Sequence, residues 1–256
     1  MDQSSSANSP ALRRAARRQA TYDELIALAR RFLREGRALS LRGIATEMGL
    51  TAPALYRYVD SHAALQKALV EAIYDDVLGE LNAAADAWPT ECPRQRLLAS
   101  IVAFRSWALT APEEFRLVFG QPKQGWDSAE DESLPRAIRF FVHFMVCLAR
   151  LHEMGEVAMS APDSLPEHAT REVGRFLDAW GTQEDVPPAP PALWWDGLRD
   201  WIVVCGVLRM EVDGLVPSRA VRDASLFRDT LCCIGMRAGG KEEQVRRSVD
   251  VAFGLA

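Results

Sequence analysis

The sequence predicts an all-α protein, with a three-helix head that contains a helix-turn-helix, followed by a larger helical domain. Three observations support this prediction. Apolar residues recur at spacings of three and four through most of the chain. Ser and Thr caps, Gly stops and Pro residues separate these periodic segments. No segment has the strict alternation of a half-buried strand, a hairpin signal or an internal repeat.

Charge is distributed unevenly along the chain. The 256 residues are 48% hydrophobic, enough for a substantial core, and carry a formal net charge of −5. Residues 1–60 contain ten Arg and six acidic residues, a net of +4, so the remainder carries −9 (−5 − 4). The overall charge argues against a general nucleic-acid coat, but the basic end coincides with the helix-turn-helix.

The five cysteines show no metal or disulfide spacing, and three of them lie within apolar runs. This pattern is typical of reduced core thiols in a cytoplasmic protein. The first residues lack the apolar core of a signal peptide, and the apolar stretches 140–151 and 201–208 are shorter than the roughly 18 residues that a membrane span needs. A cytoplasmic location without membrane contact is expected.

The predicted organisation has three parts. Residues 1–20 form a disordered basic arm, residues 21–66 a DNA-binding head and residues 67–256 the larger domain. The arm is rich in Ser, Asn and Pro up to about residue 12, and Arg13, Arg14, Arg17 and Arg18 follow. Such an arginine cluster is either a solvated tail or an arm that lies along phosphates or enters a minor groove.

The first helix of the head is predicted to begin at a capping box, because Thr21 and Glu24 can each satisfy the other's end of the first turn. Leu25, Ala29 and Phe32 form its apolar face. Gly36 then ends the helix.

Residues 41–59 form the predicted helix-turn-helix. Ser40 caps a short helix, Gly49 ends it with a positive φ, and Thr51 caps a second helix with Pro53 in its first turn. Leu55 and Val59 continue the apolar stripe. The opposite face shows Thr51, Ala52, Tyr56 and Arg57, which suits contact with phosphates and base edges in a major groove. A helical hairpin without function is the alternative interpretation.

The rest of the chain is predicted to be helical. Ser61 caps a long helix that continues to about residue 87, where Trp88 and Pro89 end it. Further helices are predicted at 94–109, 112–119, 134–153, 166–180, 194–212, 223–237 and 242–253. Residues 120–133 form a polar acidic loop, and the proline-rich residues 186–191 form a linker.

The head closely resembles the TetR family of one-component transcriptional regulators. Three features carry this resemblance: Thr21 to Glu24, the run GLTAPALYRYVDSHAAL that starts at Gly49, and the single long helix after it. PEEFRL from Pro112, and the segment from Trp201 with Gly206, Glu211 and Gly214, resemble the C-terminal domain of many members more loosely. The resemblance implies a homodimer whose heads bind a palindromic double-stranded DNA operator and whose C-terminal domains bind a small-molecule effector.

Carried over to this chain, the resemblance places Thr51 and Tyr56 at phosphates and Ala52, Pro53 and Arg57 at bases. Tyr58 is similar to the aromatic residue or His that closes the recognition helix. His62 stands where the family usually has a Lys that meets a phosphate, and it would be neutral at pH 7. The expected DNA-binding residues are Arg17, Arg18, Arg42, Thr51, Ala52, Pro53, Tyr56, Arg57, Tyr58 and His62.

Aromatic residues are concentrated between residues 104 and 201, more than a simple bundle needs. Together with the resemblance, they suggest an apolar effector pocket, although a filled core would use the same residues. The predicted pocket residues are Phe104, Trp107, Phe141, His143, Phe144, Cys147, Trp180 and Trp201. The predicted dimer interface comprises Trp201, Val204, Leu208, Phe227, Leu231 and Ile234, because the run WIVVCGVL is apolar on every face.

No cofactor, metal or catalytic activity is expected. His143 with Cys147 and His152 with Glu156 have helical i, i+4 ligand spacing, but neither pair has further ligands nearby in the sequence. No GxSxG, P-loop, GxGxxG or HExxH motif occurs. The predicted function is a dimeric repressor that a small, largely apolar effector releases from its operator. The alternative is a helical small-molecule-binding protein or enzyme whose head no longer reads DNA.

Overall fold

The computed structural model describes residues 10–119, 134–161, 165–180 and 187–255, without the side chains of 134–139 and 178–180. These residues form helices and connecting segments, and no strand occurs among them, which confirms the all-α prediction. The helices are α1 Pro10–Arg34, α2 Leu41–Glu47, α3 Ala52–Leu55, α4 His62–Asp86, α5 Pro93–Thr110, α6 Pro112–Phe119, α7 Leu134–Glu153, α8 Glu167–Trp180, α9 Pro191–Val212, α10 Ser218–Arg222, α11 Ser225–Arg237 and α12 Glu242–Ala252.

Helix α1 begins eleven residues before the predicted capping box (21 − 10). Within the helix, the Thr21 hydroxyl donates to the carbonyl of Arg17 at 3.0 Å and does not cap a first turn. Residues 10–20 are therefore helical, and the prediction that the whole arm is disordered is wrong for them. The physical reason is composition, because Ala, Arg, Leu and Gln are good helix formers and Pro10 suits a first helical position. Residues 1–9 lie outside the described part of the chain.

The chain divides into two compact units. The first contains the described residues up to Asp75 together with α6, and the second contains the residues from Asp76 to Thr110 together with the later helices. The first unit extends beyond the predicted boundary at residue 66, to Asp75, and it also includes α6. The domain functions assigned from the sequence remain predictions.

The first unit is built around an apolar core and a buried carboxylate. Its fully buried side chains include Leu25, Ala29, Ile44, Leu55, Leu65 and Leu69. The carboxylate of Glu114, in α6, is completely buried and accepts from Arg30 Nε at 2.6 Å, Arg30 Nη2 at 3.0 Å and Arg34 Nε at 2.5 Å. These bonds join α6 to α1, where two arginines compensate the buried charge.

A second ion-pair cluster fixes α2 against α1. Glu47 accepts from Arg37 Nη2 at 2.8 Å and also pairs with Arg31. The hydrogen bond from Arg37 is the main reason that the pKa of Glu47 lies below its usual value. The guanidinium of Arg37 also lies 3.4 Å above the centre of the Phe32 ring, a cation–π contact.

The second unit contains a buried ion pair between α5 and α9. Arg105 Nε donates to Glu211 Oε2 at 2.8 Å, and Arg105 Nη2 donates to Glu211 Oε1 at 3.1 Å and to the Val221 carbonyl at 2.6 Å. The Glu211 side chain is fully buried. One guanidinium thus holds α5, α9 and the end of α10 together.

Most of the remaining predicted helices agree with the observed bounds within three residues. The exception is α10, a five-residue helix after Pro217 that the sequence analysis missed because it is too short to show a period. The predicted loop at 120–133 lies outside the described residues. In the described part of the chain, no helix is long and apolar enough to cross a membrane.

Candidate functional site

Helix α2 of the helix-turn-helix forms as the sequence predicts, but α3 ends at Leu55, so Tyr56 and Arg57 lie in the turn after it and not on the second helix. The Ser40 hydroxyl accepts from the Gly43 amide at 2.9 Å, and Gly49 adopts a φ of +67° after α2. Leu55 is fully buried and Val59 nearly so, which anchors α3 and the turn that follows it. The unit therefore presents the opposite face of α3 to solvent.

The structure corrects one detail of this motif. Thr51 occupies the N-cap position of α3, but its side chain makes no capping hydrogen bond. Pro53 already lacks an N–H in this first turn, so fewer donors need a cap. The Thr51 hydroxyl is exposed and is not engaged in a cap.

The predicted DNA-binding residues of α3 and the following turn are largely accessible. The side chains of Thr51, Pro53 and Arg57 are exposed, and Tyr56 is 50% exposed, which is unusual for a large aromatic residue. Ala52 and Tyr58 are half-buried. A hydroxyl, a phenol and a guanidinium thus lie along one short exposed segment, a combination that can donate to phosphates and base edges.

The arginines of residues 1–60 fall into two groups. Arg30 and Arg34 pair with Glu114, while Arg31 and Arg37 pair with Glu47. The others are all exposed: Arg13, Arg14, Arg17, Arg18, Arg42 and Arg57. This group includes every arginine that the sequence analysis assigned to DNA binding.

His62 has a partner within the protein. Its Nε2 lies 2.7 Å from the carbonyl oxygen of Leu39, so Nε2 donates and a neutral ring leaves only the acceptor nitrogen Nδ1 for another contact. A phosphate offers no donor to Nδ1. The expected phosphate contact at His62 therefore requires a protonated ring.

Four of the predicted effector-pocket residues pack together in the second unit. The Phe104 ring is fully buried, and its centroid lies 5.6 Å from that of Trp107, 6.1 Å from Phe144 and 5.3 Å from Trp201. The rings of Phe144 and Trp201 are 5.1 Å apart. These contacts are typical of a packed aromatic core.

The other predicted pocket residues whose side chains are described are Phe141, His143 and Cys147. Phe141 packs on Trp194 with ring centroids 5.6 Å apart. His143 Nε2 lies 3.0 Å from the Ser100 hydroxyl, and burial, assisted by Arg96, lowers the pKa of His143 to about 4. Burial also raises the pKa of the Cys147 thiol. The Trp180 side chain lies outside the described part of the structure.

Two cavities in the second unit are lined by other residues. One of about 200 Å³ lies among Val157, Met159, Leu193, Asp196, Asp200 and Arg237, and one of about 230 Å³ lies between α11 and α12. Trp194 is almost completely buried, yet its indole N–H meets no acceptor among the described residues. A buried donor without an acceptor is uncommon and is the kind of group that a bound molecule satisfies.

The structure corrects the predicted dimer interface. Val204, Leu208, Phe227 and Leu231 are at most 5% exposed within a single chain, so they cannot form a surface for a second copy. The same helices expose other apolar side chains, namely Ile202 at 61%, Met210 at 43% and Leu226 at 39%. The sequence analysis chose side chains that the chain itself covers, because an entirely apolar run does not show which of its sides is buried within a single chain.

In the described residues, no cluster of three or more His, Cys, Asp or Glu side chains could hold a metal ion. His143 instead lies next to the hydroxyl of Ser100. His152 lies next to the backbone carbonyl of Val157. Cys232 is buried but Cys233 is exposed, so Cys233 does not fit the core-thiol pattern expected for the cysteines.

Comparison with protein-family models matches residues 97–232 to the family described as tetracyclin repressor-like, C-terminal domain. The chain is also 27% identical over 202 residues to the HTH-type transcriptional regulators Rv1816 of Mycobacterium tuberculosis and Mb1846 of Mycobacterium bovis. Each alignment covers 78% of this chain and 83% of the relative.

Two solved structures share the fold. SCO4313, described as a regulatory protein, superposes with a TM-score of 0.61 at 26% identity, over 86% of this chain and 97% of that one. RolR in complex with resorcinol superposes with a TM-score of 0.54 at 13% identity, over 92% and 95% of the two chains, a likeness of fold alone.

Proposed function

The chain belongs to the TetR family of transcriptional regulators, and we propose that it is a repressor that binds a palindromic operator as a homodimer. A small, largely apolar effector would lower its operator affinity and release it. The observation that carries the proposal is the exposure of Thr51, Tyr56 and Arg57, which flank the short helix α3 at its two ends while Leu55 anchors it in the core. The proposal assigns the protein no catalytic step.

The proposed contacts follow from the chemistry of each side chain. Thr51 and Tyr56 donate hydroxyl hydrogen bonds to phosphates, while Ala52 and Pro53 meet thymine methyl groups and the shape of the groove. Arg57 donates two hydrogen bonds to a guanine. The remaining proposed contacts come from Tyr58, Arg17, Arg18, Arg42 and, when protonated, His62.

Selection of bound fragments from a random pool of double-stranded DNA tests this proposal. We expect one enriched palindrome, because a two-fold dimer presents two copies of α3 to two half-sites about one helical turn, or 34–36 Å, apart. Enrichment of no sequence would contradict the proposal and would favour a helical ligand-binding protein whose head no longer reads DNA.

We propose that the dimer forms through the exposed faces of α9 and α11. Ile202, Gly206 and Met210 recur every four residues along one side of α9, and all three are exposed. Leu226 adds an exposed apolar side chain on α11. Such a face is self-complementary across a two-fold axis and would cover apolar area that a single chain leaves in water.

Replacing Ile202 by Arg is expected to convert the dimer into monomers, because two guanidinium groups would be buried against an apolar face. The measurement is the molar mass by light scattering after size exclusion. Met154→Arg is the matched control, since Met154 is similarly exposed at 45% but follows α7. A stable dimer of the Ile202 variant would contradict the proposed interface.

The proposed effector site lies at the aromatic residues of the second unit. Phe104, Phe144 and Trp201 are packed apolar rings that would line the site, and His143 offers a neutral polar group because its pKa is about 4. The indole N–H of Trp194 provides a donor that a polar atom of the effector can satisfy. An apolar molecule with a single hydrogen-bond acceptor fits this combination.

A further inference from the structure

The first three turns of α1 carry a basic face. At about 100° per residue, Arg13, Arg14, Arg17 and Arg18 fall within an arc of about 140° on one side of the helix. All four side chains are exposed. The opposite side of these turns carries Ala15, Ala16 and Gln19, and no acidic residue lies between residues 10 and 20. We call residues 10–20 the arm helix.

A specific bond places the arm helix next to the recognition segment. Arg18 Nη2 donates to the backbone carbonyl of Arg57 at 3.2 Å, at the turn that follows α3. Arg57 is the side chain proposed to contact a guanine, so the basic face begins beside the proposed interface. Arg18 therefore anchors the arm helix through Nη2, while Arg13, Arg14 and Arg17 extend the positive charge away from α3.

A basic arm can contact phosphates or enter the minor groove, and the width of the arm helix decides between these two modes. An α-helix with side chains is about 10–12 Å wide, whereas the minor groove of B-DNA is about 6 Å wide. A folded helix therefore does not enter that groove. Its guanidinium groups can instead donate to the phosphate oxygens along the rim of the duplex.

We propose that the arm helix binds the DNA phosphates that flank the sequence read by α3. The inference rests on the proposed function, since it places a second contact beside the same interface. It extends the footprint of each protomer without adding base specificity, because phosphates carry no direct sequence information. It also adds positive charge next to α3, where His62 provides none when neutral.

The test is the salt dependence of DNA binding by full-length Arg13→Gln/Arg14→Gln/Arg17→Gln. Each phosphate contact contributes about 0.9 to the slope of log affinity against log salt concentration, so removing three per protomer is expected to reduce a dimer's slope by up to about 5. At a given salt concentration, the triple Gln variant should bind the selected operator and random DNA more weakly than the wild type does, by similar factors. The corresponding triple Lys variant retains the charge and should keep most of the slope.

The matched control removes the same charge from the second unit. Arg219, Arg222 and Arg247 are exposed on α10 and α12, and their replacement by Gln should leave the slope unchanged. An unchanged slope in the arm variant would overturn the inference. A loss confined to operators with A·T-rich flanks would also overturn it, because that result indicates an unwound arm in the minor groove.

The two proposals fail separately. Absence of any preferred sequence for the wild-type protein contradicts operator recognition by α3, yet the slope on random DNA still tests the arm helix. If the wild-type protein selects a clear palindrome but the arm variant keeps the wild-type slope, operator recognition is supported. The arm helix then makes no contact with the DNA phosphates.

Discussion

Replacing Glu211 by Gln is expected to destabilise the second unit by about 3–5 kcal/mol, the usual cost of removing one partner from a buried ion pair. Arg105 would keep its charge but lose the carboxylate to which it makes two hydrogen bonds at 2.8 and 3.1 Å. The Glu211 side chain is fully buried, so water cannot take the place of that carboxylate. The Val221 carbonyl alone does not neutralise the guanidinium.

Urea denaturation followed by tryptophan fluorescence measures this effect, since most tryptophans of the described chain lie in the second unit. Glu242→Gln is the control, because Glu242 pairs with Arg246 on the exposed surface of α12 and should change stability by less than about 0.5 kcal/mol. A double variant, Arg105→Met/Glu211→Leu, should recover much of the loss. A Glu211 variant as stable as the wild type would show that this pair does not hold the unit together.

The helix order of this protein could be predicted because its helix boundaries are set locally. Ser40 and Ser61 cap α2 and α4 with their hydroxyls, and Gly36 and Gly49 adopt positive φ where the chain leaves a helix. The start of α1 could not be predicted in the same way. Thr21 and Glu24 have the form of a cap, but the eleven residues before Thr21 in α1 favour helix and extend it.

The exposure of Tyr56 and Arg57 could be predicted for a related reason. A helix that buries Leu55, followed by a turn that buries Val59, must turn Tyr56 and Arg57 outward. Burial of Glu114 and Glu211 was not predictable, because glutamate is rarely buried and its arginine partners are distant in sequence. Val204 was predicted to face a second copy because Val204 and Ile202 are equally apolar, and only tertiary packing shows that the chain itself covers Val204.

Replacing Arg57 by Ala is expected to weaken operator binding strongly. A guanidinium with two hydrogen bonds to a guanine contributes about 1–3 kcal/mol, and a dimer makes this contact twice, so the loss is about 2–6 kcal/mol. That range corresponds to a decrease in affinity of roughly 30-fold to more than 10⁴-fold. The substitution leaves the backbone carbonyl that accepts from Arg18, so the arm helix keeps its anchor.

Tyr56→Phe should weaken binding by a comparable amount, because it removes a phenol hydrogen bond to a phosphate, worth about 1.5–3 kcal/mol per charged partner, from each protomer. This loss should be similar on operator and random DNA, whereas the Arg57 loss should be greater on the operator. The difference separates the proposed phosphate contact from the proposed base contact.

The central claim is that α3 and the exposed turn that follows it read the operator. The most direct measurement is a gel-shift titration of the selected palindrome with wild-type protein, Arg57→Ala and the control Arg219→Ala, whose side chain is 90% exposed on α10. Size exclusion of the same samples checks that each protein is assembled like the wild type. We predict wild-type affinity for the Arg219 variant and a loss of at least about 30-fold for the Arg57 variant. Equal affinity of the Arg57 variant and the wild type would contradict the claim.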